Sequence, residues 1–518
     1  MNSRVLTQIK NNANLYPDRI AYTTYSQEDC KIEKITWGEI DEESDKLASY
    51  LNSHLKTKTP IIVFGHKSPY MLVLFLACVK SGRAYVPIDS SFPNGRIQDI
   101  CNAVQPEIVL TSENLTDIKG EFDILNLSEI KEIIARTEIN INSSAWVKPE
   151  DVYYIIFTSG STGTPKGVQI TSSCLDNFVS WAVTLGKEYH INDGEHHTFI
   201  NQAPFSFDLS VMDLYLSLYT GGTLWAIPKS LQKDLQQMYE YIEKSGADVW
   251  VSTPSFAEMS FIDDGFSEKL LPQMRLFLFC GETLTNQTAE KLNNAFPKAE
   301  VFNTYGPTES TVAVTSVYIS DLIRNKYKPL PVGSAKPGTW IYIMNEEGKV
   351  LSDGEKGEIV IVGDSVSVGY WNNPDKNKEF FDKMQIDGEV YRLYHTHDKG
   401  YFQDGQLFYC GRIDLQIKMH GYRIELEDIE NNLLACENVE RAVILPNIQN
   451  EEIVSLSAFI VPKKMPESSL KERQHLRNEL KERLPEYMIP KKFVFREELP
   501  VTMNGKVDRR KLEAEEKC

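Results

Sequence analysis

One stretch constrains this chain more than any other. It runs Val152-Tyr153-Tyr154-Ile155-Ile156-Phe157-Thr158-Ser159-Gly160-Ser161-Thr162-Gly163-Thr164-Pro165-Lys166-Gly167-Val168. The opening apolar run reads as a buried strand. Hydroxyls and glycines follow, and the chain turns apolar again at Val168 and Ile170. Strand, hydroxyl-rich loop and strand suit a polyphosphate. Glycines let backbone N–H groups approach phosphate oxygens, hydroxyls donate further bonds, and Lys166 adds a point charge. The loop is not a Walker A site, which ends in Gly-Lys-Ser/Thr, because Gly167 and Val168 follow Lys166. A Ser/Thr/Gly run alone is ordinarily a mobile linker; the strand before it and the Thr-Pro-Lys-Gly exit argue against that.

Around this loop, short apolar runs alternate with helical patterns. Helices are expected over 5–14, 37–55 and 71–80, the second capped by Thr36 with Glu39 three residues on. Strand ends are expected near residues 64, 89, 110, 157, 227, 252, 279 and 303, the α/β pattern, whose ligands sit at the carboxyl ends of strands. From 331 to 408 strands separated by Gly/Asp turns predict a β-rich lobe. Beyond Asp414 come a strand (415–419), a helix (426–436), two strands (441–445 and 453–461) and a helix over 470–484. That last helix has Leu476, Leu480 and Leu484 on one face.

The 518 residues allow more than one domain. A net charge of −18 disfavours nucleic acid and anionic membrane as partners. No stretch approaches the roughly 20 apolar residues of a membrane span, and the N-terminus has no apolar signal core. Eight scattered cysteines without C-x-x-C suit a reducing cytoplasm.

Several other runs carry chemistry. In Asn303-Thr304-Tyr305-Gly306-Pro307-Thr308-Glu309, Gly-Pro marks a turn, but the tyrosine suits a purine and the carboxylate suits Mg²⁺. Tyr394-His395-Thr396-His397-Asp398 puts a carboxylate at an expected strand end, where ribose hydroxyls would bind. Metal binding by His395, His397 and Asp398 lacks a further ligand nearby in sequence. Gly411-Arg412-Ile413-Asp414 leads into His420-Gly421-Tyr422-Arg423-Ile424-Glu425, and Asn504-Gly505-Lys506 lies near the C-terminus.

In order and spacing these runs resemble the core motifs of the adenylate-forming enzymes: acyl-CoA synthetases, luciferases and the amino-acid adenylation domains of peptide synthetases. The resemblance spans nearly the whole chain. It implies an α/β fold with a large N-terminal domain of α/β layers plus a β-rich lobe (1–413). A small mobile α+β domain (414–518) would turn about a hinge at Asp414. It implies ATP and Mg²⁺, with Thr158, Ser159, Ser161, Thr162 and Lys166 on the phosphates. Asn303, Thr304, Tyr305 and Thr308 would surround the nucleotide, Asp398 and Arg412 would hold ribose and phosphate, and Glu309 the metal. Lys506 would bridge the attacking carboxylate and the α-phosphate, with Thr158 and Lys166 as its catalytic partners. The family usually has glycine at the His397 position, so the ribose-binding strand is expected to be altered here.

Phe205-Ser206-Phe207-Asp208-Leu209-Ser210-Val211-Met212-Asp213 resembles the substrate-pocket motif of the amino-acid branch. There the aspartate at the Asp208 position pairs with the substrate ammonium. A fatty or aryl acid would leave that buried charge unpaired. The competing reading is an aspartate that caps the helix start. Carrying the family's positions over adds Leu209, Met212, Ser255, Leu278, Cys280, Thr304, Val312 and Ala313 to the lining. This lining suits a small apolar amino acid; without the resemblance Cys280 reads as a core cysteine. The runs 201–213 and 252–259 resemble the branch that activates D-alanine for teichoic acids, in which the cysteine selects the enantiomer. The alternative is a freestanding adenylation enzyme for another small amino acid. No phosphopantetheine-attachment motif follows Lys506, so the acceptor thiol is expected on a separate phosphopantetheinylated carrier protein. Lys463-Lys464 and Lys491-Lys492 are candidate docking bases that read equally as solvated pairs.

Overall fold

A computed structural model describes residues 3–26, 30–160, 165–449, 452–500 and 507–516. The expected loop splits as predicted into two antiparallel strands, Val152–Thr158 and Lys166–Thr171, with Thr158 opposite Lys166. This hairpin ends a six-stranded sheet whose other members, Asp123–Leu125, Ile108–Thr111, Ile61–Phe64 and Tyr85–Ile88, run parallel. The strands Ile61–Phe64, Tyr85–Ile88 and Ile108–Thr111 are buried along their whole length, as parallel strands covered on both faces are.

A nine-stranded sheet lies beside it, and its central strands Leu276–Phe279, Val249–Ser252, Thr198–Asn201 and Thr223–Ala226 are parallel. The helices Tyr70–Lys80 and Leu209–Thr220 are buried almost all round. Each fully buried Leu or Phe there contributes about 1.5–3 kcal/mol. Lys80 is tolerated because its ammonium reaches Asp41 (2.8 Å), Asp45 (2.6 Å) and Ser44 (2.9 Å). Thr36 and Glu39 form the expected capping box.

The β-rich lobe is a five-stranded antiparallel sheet. The strand Phe381–Ile386 has no expected counterpart, and Glu389–Gln403 runs well past the strand end expected at Asp398, because polar residues on their exposed face break the apolar run. Asp398 consequently does not end a strand. It lies inside Glu389–Gln403, where a bulge against Gln406–Arg412 turns it inward.

After this sheet comes a hairpin, Gln416–Met419 with Tyr422–Glu425, then the helix Leu426–Leu434. The sheet Val439–Gln449, Glu452–Pro462 and Lys492–Phe495 and the helix Ser469–Lys481 complete the C-terminal unit with a core of its own. Leu476, Leu480 and Leu484 are buried there as expected. Among the described residues no helix is long and apolar enough to cross a membrane.

Candidate active site

The carboxyl ends of the nine-stranded sheet, the phosphate-loop hairpin and the C-terminal hairpin meet in one cleft. A cavity of about 60 Å³ is lined by Asp208, Leu209, Cys280, Thr308 and Val312, and also by Lys418 and Arg423. A larger one of about 570 Å³ is lined by Ser255, Asn303, Thr304, Tyr305 and Arg412 and reaches Ile448 and Ile453.

Asp208 precedes the helix Leu209–Thr220 but makes no capping hydrogen bond; the capping reading fails. Its Oδ2 accepts from the Thr308 hydroxyl (2.7 Å). Burial pushes its carboxyl up, opposed by Thr308 and Lys418. Asp208 also lines the cavity of about 60 Å³, where its carboxylate could meet an ammonium. Cys280 follows the strand Leu276–Phe279, and its Sγ lies 3.6 Å from the Val312 carbonyl. Burial pushes its thiol up, which keeps it a neutral wall. Thr311 and Val312, between the turn Thr308–Ser310 and the strand Thr315–Tyr318, have φ of 62° and 67°, a left-handed pair that costs most for β-branched residues, and Val312 lines the cavity. Met212, Leu278 and Ala313 are fully buried core residues and line neither cavity.

On the nucleotide side the Asn303 amide donates to Pro331 (2.8 Å), while its buried Oδ1 has no partner among the described residues, an acceptor suited to an adenine amino group. Thr304 donates to the Phe279 carbonyl (2.8 Å). Asp398 is gripped from two sides, by the Tyr305 hydroxyl (2.6 Å) and Arg412 Nη1 (2.9 Å). Arg412 also chelates Asp414, with its Nε 2.7 Å from Oδ1. Although burial works against it, Arg412 and His397 hold the Asp414 carboxyl well below the usual range. His397 has φ 55°, which explains why glycine suits this position. Its N–H donates to Glu358 (2.9 Å), and Asp398 keeps its two grips despite the imidazole. Among the described residues no three His, Cys, Asp or Glu side chains gather as a metal site.

Sequence alone assigns no role to the side chains of 420–425, yet they dominate the phosphate side. Lys166 Nζ lies 3.2 Å from Glu425 Oε1. The Ser159 hydroxyl donates to the Arg423 carbonyl (2.9 Å) and accepts from the Glu425 N–H (3.1 Å). Arg423 Nη1 donates to Glu309 Oε2 (2.6 Å), and the Tyr370 hydroxyl donates to Oε1 (2.7 Å). At the turn, the Gly421 N–H donates to Glu282 (2.7 Å), and Phe207 packs edge-on to Tyr422, which stacks on Tyr487. Thr158 is part-buried at the strand end. Ser161, Thr162 and Lys506 lie outside the described residues. Val507, next to Lys506, packs against a cluster of Val443, Leu445, Phe459 and Leu512.

The AMP-binding enzyme family matches residues 9–371, and the AMP-binding enzyme C-terminal domain matches 428–506. The chain belongs to the AMP-binding enzyme family. Over 515 residues it is 46% identical to the D-alanine–D-alanyl carrier protein ligases of Bacillus cereus (strain ZK / E33L) and Bacillus thuringiensis (strain Al Hakam), covering 99% of each chain. A nonribosomal peptide synthetase protein with adenylation and carrier domains, bound to a vinylsulfonamide inhibitor, shares the fold (TM-score 0.82, 23% identity, 99% of this chain and 84% of that one). So does a Vibrio cholerae adenylation domain solved with glycyl-adenosine-5′-phosphate (TM-score 0.79, 22% identity, 100% and 98%).

Proposed function

We propose that the protein activates D-alanine with ATP and passes the D-alanyl group to the phosphopantetheine thiol of a separate carrier protein, for transfer to teichoic acids. One observation carries the reading: a part-buried Asp208 carboxylate, bonded to the Thr308 hydroxyl, lines a cavity of about 60 Å³. That is room for a methyl-sized side chain beside an ammonium.

In the first step the amino-acid carboxylate oxygen attacks the α-phosphorus, and the bond to pyrophosphate breaks. Asp208 holds the ammonium, Thr158, Ser159 and Lys166 face the phosphates, and Asp398 the ribose. Glu309 is the residue that would hold Mg²⁺, which neutralises phosphate charge when bound. Lys506 stabilises charge on the pentacoordinate phosphorus. In the second step the carrier thiolate attacks the acyl carbon and AMP leaves. We place the domains at 1–413 and 414–518, turning about Asp414. The docking of 416–425 over the cleft supports assigning this arrangement to the second step. The larger cavity of about 570 Å³, lined by residues from Arg412 to Ile453, is where we place the pantetheine arm. We place the protein in the cytoplasm, where ATP is supplied and thiols stay reduced.

The test is amino-acid-dependent ATP–pyrophosphate exchange with D-alanine, L-alanine, glycine and D-serine. A clear preference for D-alanine is expected. A preference for another small amino acid would keep the chemistry and overturn the substrate.

A further inference from the structure

The helix Asn94–Val104 starts beside the phosphate-loop strand, and the mechanism above uses none of its residues. Its first turn lies against the C-terminal unit. A Cβ on Gly95 would sit 2.7 Å from the Glu482 carbonyl oxygen and 3.5 Å from the Arg483 Cα, so it fits only if the two units part. Arg96, next in sequence, is 5% exposed. Its Nη2 donates to the carbonyl of Thr158 (3.2 Å), the last residue of the strand that enters the phosphate loop. Its Nη1 lies 3.7 Å from Asp428 Oδ2, in the first turn of the helix Leu426–Leu434.

Asp428 has no exposed surface, and among the described residues neither its Oδ2 nor Arg96 Nε has a hydrogen-bond partner. An under-partnered buried guanidinium is costly unless an opposite charge offsets it. Asp99, three residues along the same helix, also acts on Arg96, but the carboxylate within 4 Å of the guanidinium comes from the C-terminal unit.

We propose that Arg96 is a positioning residue that couples the root of the phosphate loop to docking of the C-terminal domain for thioester formation. The inference rests on the two-step reading above. Because the Arg96–Asp428 pair exists only in the docked arrangement, its stabilisation counts in the transfer step and not in adenylation. The bond from Arg96 to Thr158 fixes where the strand end stands when the hairpin residues 423 and 425 arrive.

The test separates the half-reactions. Arg96→Gln is expected to slow D-alanyl transfer about tenfold or more, and to slow it well beyond any effect that loss of the Thr158 bond has on ATP–pyrophosphate exchange. Asp428→Asn should do the same, and the double variant should be no slower than either single one, because the two residues act as a unit. Gly95→Ala leaves both charges in place and should also slow transfer alone. Equal loss of both half-reactions in Arg96→Gln and Gly95→Ala, or no loss in either, overturns the proposal. Amide hydrogen exchange of residues 426–434 without substrates gives a second readout, expected to rise in all three single variants. That readout needs no substrate, so a protein that activates another amino acid would sink the D-alanine reading and leave this one standing.

Discussion

Arg423 closes over Glu309, its Nη1 2.6 Å from a carboxylate oxygen that is wholly buried. Burial alone would raise the Glu309 carboxyl, but the guanidinium, with help from the Tyr370 hydroxyl and Lys166, brings it down to about 2. The residue proposed to hold Mg²⁺ is thus held by an arginine from the C-terminal unit when the hairpin is docked.

A pH dependence follows. The folded value lies below the unfolded one, so the stabilisation is complete above about pH 5 and is lost as pH falls toward 2. Glu309→Gln should therefore be less stable than the parent protein by an amount that is constant near neutrality. That difference should shrink by roughly 3 kcal/mol in acid. Urea unfolding of both proteins from pH 7 to pH 2 measures it, and a pH-independent difference would count against the pair.

Asp208→Asn keeps the shape of the pocket and removes its charge. We expect kcat/KM for the amino acid to fall about 100-fold, roughly 3 kcal/mol, mainly through KM, with KM for ATP little changed. Equal losses for both substrates would show that Asp208 supports the fold of the cleft and not the ammonium.

Cys280→Ala opens the cavity on the side of the Val312 carbonyl. Activity on L-alanine relative to D-alanine should rise about tenfold, the scale of discrimination that one small apolar contact supplies. An unchanged ratio of the two exchange rates would remove Cys280 as the chiral wall.

Lys506→Ala should lower ATP–pyrophosphate exchange by about 100-fold to 1,000-fold, as loss of a donor to developing charge does, while nucleotide binding by calorimetry stays near the parent value. Transfer from chemically supplied D-alanyl-AMP should survive. Normal exchange in this variant would exclude the proposed role.

Much of this site is legible in short runs of sequence, and the reason is local. A phosphate loop needs its glycines, hydroxyls and lysine together, so 152–168 declares itself. Asp208 stands out because a carboxylate among apolar residues needs a partner. Arg423 and Glu425 stayed unassigned because their partners, Glu309 and Lys166, lie more than a hundred residues away and meet them only through domain docking. Arg96 is silent for the same reason. Asp398 was misplaced because a bulge leaves no mark in an alternating pattern of residues. Met212, Leu278 and Ala313 show the converse limit, since an apolar side chain reads alike whether it faces a ligand or the core.

The docked hairpin sets a direction in time. Lys166 is engaged by Glu425, and Glu309 by Arg423. On the proposed roles these are the groups that would grip pyrophosphate and its cation. Once the hairpin is seated, departed pyrophosphate finds its berth filled by a carboxylate and that of its cation by a guanidinium. The mixed anhydride waiting for a thiol is thereby shielded from reversal, so two ion pairs give a chemically reversible sequence the behaviour of a ratchet.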